Sequence, residues 1–368
     1  MQSVSHSDNE LKSPELVPSL PPSWYVTEVQ FQREKEKIFT LDWIFLCHAQ
    51  EVAQPGDYIT SDVMGIPVIV LRDEQNEIQI LLNVCRHRAA PLLTEKKGKL
   101  SKPHLMCQYH GWCYHMDGRF KQAPFISSDC ESLSLKKIAF REAHGMIFIT
   151  FNPDPYPFAD RQQELLQEFQ SANFNMAAYH YDRQLRWEGN FNWKAWVEGY
   201  QECYHCPTIH PIFNRDFQLG KYQVKNKNYY SVHQCPRKEK SDSGSFEGLW
   251  LWLYPNCGLP CYENVYYTMR INPKSPAKTE LICTFFVNEK CREGADEKFF
   301  EFVASIIQED IAICEKVQQN LQHATGEHLL NHGYLNAARE NGVHYFHQLV
   351  RRAVDVSTIN VETLDNVV

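Results

Sequence analysis

The chain has 368 residues, of which 43% are hydrophobic and 22% charged, enough for one large domain or two ordinary ones. Its formal net charge of −8 argues against a nucleic-acid binder, which would carry a basic face. No apolar run approaches the roughly 20 residues that span a bilayer, and the first residues lack the basic and apolar regions of a secretory signal. The expectation is therefore a cytoplasmic protein with neither membrane nor nucleic acid as a partner.

Residues 1–20 are polar and rich in Ser and Pro, and read as a mobile tail. Residues 66–71 and 78–84 are β-branched runs joined by the polar turn Asp73-Glu-Gln-Asn76, and read as strands. Asp117-Gly118 marks a hairpin turn, because that dipeptide tolerates positive φ. One more strand is expected over 143–151. The proline-rich run Asn152-Pro-Asp-Pro-Tyr-Pro157 then breaks regular structure and marks a domain boundary. Beyond it, 160–172 and 192–205 read as helices, the second ending before Pro207. Strands are expected over 262–271 and 279–287, and a long helix over 295–322. The fold class is α+β, a small β domain followed by a larger mixed one.

Thirteen cysteines, an odd number in a long chain, do not form a disulfide framework. Most are expected as free thiols. Two groups stand out by spacing. Cys85-Arg-His87 and Cys107-Gln-Tyr-His110 form Cys-x-His, 19 intervening residues, and Cys-x-x-His. Two thiolates and two imidazoles suit a zinc tetrahedron or a [2Fe–2S] centre in which Cys holds one iron and His the other. Zinc sites favour Cys-Cys and His-His pairs, whereas each close pair here mixes the two types. Trp112 is expected to pack beside the centre.

The second group is Glu202, His205 and His210. Glu202 and His205 share a helical face at a spacing of three, and a break at Pro207 would swing His210 toward the same point. Two His and one carboxylate make a facial triad that leaves open positions on iron. The carboxylate is expected from the long helix. Phe299, Phe300, Val303, Ile306, Ile307, Ile313, Cys314 and Val317 form an apolar stripe with Asp310 in its middle, and a buried carboxylate there needs a partner or a metal. Glu309 lies nearer the edge and is the weaker candidate. Cys203 and Cys206 read as a Cys-x-x-Cys by coincidence of spacing, since the strand–motif–helix context of a redox pair is missing.

The stretch from Asn83 to Phe120, with Cys-Arg-His-Arg, Cys-x-Tyr-His-Gly-Trp and a following Asp-Gly-Arg, resembles the Rieske motif of ring-hydroxylating oxygenase α-subunits. The similarity runs from about Trp24 to the C-terminus. It implies an all-β Rieske domain over 41–155, and an α+β catalytic domain over 21–40 and 156–368 built on a central antiparallel sheet of helix-grip type. It implies a [2Fe–2S] cluster on Cys85, His87, Cys107 and His110, and a mononuclear Fe(II) on His205, His210 and Asp310. Glu202 falls where the family carries a carboxylate bridging that iron to the cluster of a neighbouring subunit in a homotrimer. Gly199 departs from the family, which often has Asn there.

The form Glu-Cys-Tyr-His resembles the branch acting on carnitine, glycine betaine and choline. The activity implied is monooxygenation of a small quaternary-ammonium or amine substrate with O2. The chain has no nicotinamide or flavin fingerprint, so electrons from NADH or NADPH must come through a separate flavin/iron–sulfur reductase. Hydroxylation of an aromatic acid is the alternative within the family, and a zinc-binding protein without catalysis is the alternative outside it.

Overall fold

A computed structural model describes residues 15–126, 131–238, 248–291, 297–324 and 329–355. The N-terminal part holds three small antiparallel sheets. Asp57–Val63, Ile66–Arg72 and Ile78–Leu82 form a meander, with Lys97–Lys99 added beside the first strand. His104–Met106, Cys113–His115 and Phe120–Gln122 form a second sheet. Between its last two strands Gly118 turns at φ +87°, and a Cβ there would meet Leu81 at 2.7 Å. The third sheet pairs Met146–Thr150 with both Ala139–Ala143 and Ile44–His48. The strand expected over 143–151 is thus a hairpin partner that begins at Met146, because His144 and Gly145 form the turn at φ 54° and 80°.

The second part is built on a seven-stranded antiparallel sheet. Its order is Tyr179–Gly189, Lys278–Asn288, Val265–Ser275, Cys257–Cys261, Leu249–Leu253, Tyr230–Gln234 and Gln223–Asn226. Period-two alternation splits its side chains between two faces. Leu249, Leu251 and Leu253 pack with Phe169 and Phe174 on one face, and Trp250 and Trp252 face the other. The long helix Glu297–His323 joins that second core, together with the helices Trp193–Tyr200 and Asn341–Val354. Arg270 ties the large sheet to the small ones, donating to Leu46 O at 3.2 Å and Ser61 Oγ at 2.6 Å.

Three expectations change. Residues 1–14 of the expected tail lie outside the described residues, but Leu16–Pro18 is no tail: it pairs with Tyr334–Asn336, and Leu20 is buried. That partner is over 300 residues away, so local composition carries no sign of it. The helix expected over 192–205 stops at Tyr200. The apolar stripe of the long helix runs through Phe300, Val303, Ile307, Ile311 and Cys314, whereas Ile313 and Val317 are exposed. Asp310 therefore lies beside the stripe, at the edge of the core.

The Trp193–Tyr200 helix is held at its base by a buried ion pair. Lys194 Nζ lies 2.7 Å from Glu34 Oε1, with both side chains fully buried. Burial pushes the Lys194 pKa down, and Glu34 opposes that shift. Trp193 Nε1 donates to the other Glu34 oxygen at 2.8 Å, so the carboxylate is satisfied on both sides. At the other end Gly342 lets the Asn341–Val354 helix approach: a Cβ there would lie 2.2 Å from Gln201 O.

Candidate metal centres

The first centre lies on two loops at the ends of strands. Cys85 N donates to Ala90 O at 2.9 Å, and Cys107 N donates to Trp112 O at 2.8 Å, so each loop is closed on its own cysteine. Both cysteines are buried, whereas His87 is exposed. The Nδ1 atoms of His87 and His110 turn toward each other at 3.2 Å. Trp112 stacks on His87 with ring centroids 4.9 Å apart. Sulfurs within and imidazoles at the surface suit a two-iron cluster with distinct ends.

Tyr114 holds the inner end. Its hydroxyl lies 3.2 Å from Cys85 Sγ and accepts from Arg86 N at 3.1 Å. Burial raises the Tyr114 pKa, so the phenol keeps its proton and can donate to the sulfur. Hydrogen bonds to cluster sulfurs favour the reduced, more negative state. We expect Tyr114→Phe to lower the cluster midpoint potential by on the order of 50 mV, equivalent to about 1 kcal/mol for one electron. Redox titration of the visible spectrum checks this, and an unchanged potential would exclude the hydrogen bond as a tuning device.

The second centre lies where the Trp193–Tyr200 helix ends. Glu202 accepts from Tyr204 N and from His205 N, the latter at 3.2 Å, and so turns the chain out of the helix. Short helices Cys206–Ile209 and Pro211–Asp216 follow, each with Pro in its first turn. Glu202 and His205 are thus on a turn rather than on one helical face. The turn still brings His205 and His210 together, with Nε2 atoms 3.2 Å apart. Asp310 Oδ1 lies 3.0 Å from His210 Nε2 and 3.6 Å from His205 Nε2.

Each ring is oriented from behind. His205 Nδ1 meets Glu202 Oε1, and His210 Nδ1 lies 2.8 Å from Glu309 Oε2. With these Nδ1 protons donated to carboxylates, both Nε2 atoms present lone pairs. Three acceptor atoms then converge with no donor among them, an arrangement that repels itself unless a cation or proton sits between. Burial opposes protonation of His210, but Asp310 and Glu309 outweigh it and raise its pKa above the ordinary 6.5. A metal and a proton compete for the same nitrogen. Among the described residues, His205, His210 and Asp310 are the one group of three or more that converges in this way. The donor set fits Fe(II) with open positions. Glu309, expected as the weaker ligand, holds the back of His210 instead.

Sequence reasoning missed two features. Cys203 and Cys206, expected as a coincidence of spacing, are joined by a disulfide, because the turn after Gln201 brings their Cα atoms to 5.0 Å. The second is a buried chain behind the turn. Tyr222 OH lies 2.7 Å from His233 Nδ1, and His233 Nε2 lies 3.2 Å from Gln201 Oε1. Burial pushes the His233 pKa down to about 3, so the ring stays neutral and relays these bonds in one direction. Gln201, next to Glu202, is thereby tied to the sheet.

One chain thus carries two different donor sets, one of mixed Cys and His and one of two His and a carboxylate, as an oxygenase of two-site type would. Residues 42–138 match the family model for the Rieske [2Fe-2S] domain, and residues 176–356 match that for the ring hydroxylating alpha subunit catalytic domain. The chain is 28% identical over 358 residues to the carnitine monooxygenase oxygenase subunit of Acinetobacter pittii, covering 92% of this chain and 95% of that one. It is 24% identical to the choline monooxygenase of Spinacia oleracea, covering 94% of this chain and 81% of the other. A solved quaternary ammonium Rieske monooxygenase in complex with L-carnitine shares the fold, with a TM-score of 0.80, 24% identity, and coverage of 92% of this chain and 96% of that one. The chain belongs to the Rieske non-haem iron oxygenases, as their terminal oxygenase component. Such a chain carries a [2Fe–2S] cluster and a mononuclear iron. No helix among the described residues is long and apolar enough to cross a membrane.

Proposed function

We propose that this oxygenase hydroxylates a small quaternary ammonium compound at a C–H bond beside nitrogen, with His205, His210 and Asp310 as iron ligands. One observation carries the substrate class: a cluster of aromatic rings that begins one helical turn after His210. Phe213 meets Phe217 at 4.4 Å and Trp250 at 6.0 Å between ring centroids. Tyr262 continues the cluster to Phe299 at 5.3 Å, and Trp250 Nε1 donates to Tyr262 OH at 3.0 Å. Among the described residues no Lys or Arg stacks on these five rings. A quaternary ammonium group has no N–H to donate, so it is recognised by ring faces and negative charge. Glu202, Glu309 and Asp310 are engaged by the imidazoles and the metal point, which leaves the ring faces to recognise the cation. The same reading is supported by the relatives that act on carnitine and choline, as their names state.

Bound iron would supply the site for O2 activation. The overall step consumes one C–H bond, O2, two electrons and two protons, and yields a C–OH group and water. An oxygenated carbon beside nitrogen can then release the amine, leaving an aldehyde. The chain's own groups hold the reaction in place: Glu202 and Glu309 orient the two imidazoles, and the aromatic cluster binds the cation and excludes water. Electrons enter from NADH or NADPH through a flavin/iron–sulfur reductase. We place the protein in the cytoplasm. Homotrimer assembly would bring an exposed His87–His110 cluster edge of one subunit to Glu202 of the next, and exposed Tyr109 and Tyr204 flank these two points.

Turnover with a reductase, NADH and 18O2 against matched panels tests the reading. We expect one 18O atom in products from carnitine-like, betaine-like or choline-like compounds, and no turnover of aromatic acids. Ring hydroxylation of an aromatic acid, with the quaternary compounds inert, would replace this proposal with the alternative.

A further inference from the structure

The turn that carries Glu202 and His205 contains a second reactive pair. Cys203 and Cys206 are bonded to each other, three residues apart, and both are buried. Closing so small a loop constrains the unfolded chain little, so the bond is a poor staple for the fold as a whole. Its effect is local, across the segment between Glu202 and His205. Cys206 Sγ also lies 4.0 Å from His205 Nε2, the nitrogen that faces His210 and Asp310. Apart from Cys85 and Cys107 of the first centre, Cys47, Cys113, Cys235 and the four on the large sheet and long helix are free and buried.

We propose that Cys203 and Cys206 are a reversible dithiol–disulfide pair that takes up hydrogen peroxide formed beside them. The inference rests on iron being held by His205, His210 and Asp310. O2 reduced by two electrons and two protons without a substrate to oxygenate leaves as hydrogen peroxide, and Cys206 is the sulfur beside that point. The Cys206 sulfur attacks one peroxide oxygen and the O–O bond breaks. The thiol proton joins the departing hydroxide as water, and Cys206 becomes a sulfenic acid. Cys203 sulfur then attacks Cys206 sulfur, the S–O bond breaks, and a second water leaves with the Cys203 proton. Two thiols are oxidised by two electrons and one peroxide is reduced by two. A small dithiol returns the pair to the reduced state by exchange. Without Cys203, the sulfenic acid has no resolving thiol, and a second hydrogen peroxide oxidises it to sulfinic acid and leaves as water, placing a fixed negative charge beside His205.

The test uses the full-length, iron-loaded protein, reduced with dithiothreitol without oxygen, desalted and given graded hydrogen peroxide. Iodoacetamide labelling and peptide mass spectrometry then read Cys203 and Cys206. The expected product is a Cys203–Cys206 crosslink two hydrogens lighter than the dithiol, reversed by dithiothreitol, and formed at doses that leave the other thiols open to labelling after denaturation. Cys203→Ser should instead gain two oxygens on Cys206 and lose activity irreversibly, roughly tenfold faster than wild type. The double variant Cys203→Ser/Cys206→Ser should lack that sensitivity. Two labelled cysteines at doses that oxidise other thiols would overturn the proposal. So would a Cys203→Ser variant no more sensitive than wild type. The crosslink needs no substrate, so its absence counts against this pair alone and an inactive substrate panel against the substrate class alone.

Discussion

Asp310→Ala is expected to lose the mononuclear iron while keeping the [2Fe–2S] cluster. Asp310 Oδ1 is the one oxygen that faces both Nε2 atoms, at 3.0 Å from His210 and 3.6 Å from His205. Without it two imidazoles remain, too few to hold Fe(II) facially. Turnover should fall by roughly a thousandfold or more, since the metal is the site of O2 activation. The cluster lies on other loops, so its spectrum and its reduction by the reductase should be unchanged. Glu309→Ala is the matched control. Glu309 holds His210 from behind at 2.8 Å, and losing such a partner costs about 10–100-fold in metal affinity or activity. Excess iron should therefore rescue Glu309→Ala and leave Asp310→Ala inactive. Equal iron content in Asp310→Ala and wild type would remove Asp310 from the ligand set.

Glu202→Ala is expected to stall electron transfer with both centres loaded. Glu202 Oε1 meets His205 Nδ1, and Oε2 receives the backbone of the turn. Removing the carboxylate loosens one ligand and removes the group proposed to link His205 to the neighbouring cluster. In protein saturated with iron, turnover should drop by about 100-fold. Rapid mixing of the reduced protein with substrate and O2 should show the cluster oxidising more slowly by a similar factor. Glu202→Gln keeps the length and one acceptor oxygen, and should fall between the two. Cluster oxidation at the wild-type rate in Glu202→Ala would show that electrons take another route.

The spacing of Cys85, His87, Cys107 and His110 was legible because ligands on two short loops are close in sequence, and loop geometry scarcely alters which residues can meet. The meander at 57–82 was legible because β-branched runs and a polar turn act locally. The region after Tyr200 was less so. Glu202, His205 and His210 stood out by residue type, but helical periodicity put two of them on one helical face. A carboxylate capturing backbone N–H groups redirects the chain there, and no periodic pattern records that. Asp310 was chosen from an apolar stripe that the helix rotates away from, since Ile313 and Val317 are exposed. Apolar residues at a helix boundary do not reveal which neighbour covers them. The His233–Gln201 bond and the Leu16–Pro18 strand join separate segments of the chain, where only tertiary packing decides.

The most direct test of the two-centre account is the metal content of wild-type protein purified without oxygen, with iron, zinc and acid-labile sulfide measured beside the visible spectrum. About three irons and two sulfides per chain with a Rieske-type spectrum are expected. Iron and sulfide in equal amounts would leave His205, His210 and Asp310 without a metal, and zinc without sulfide after reconstitution would contradict both centres.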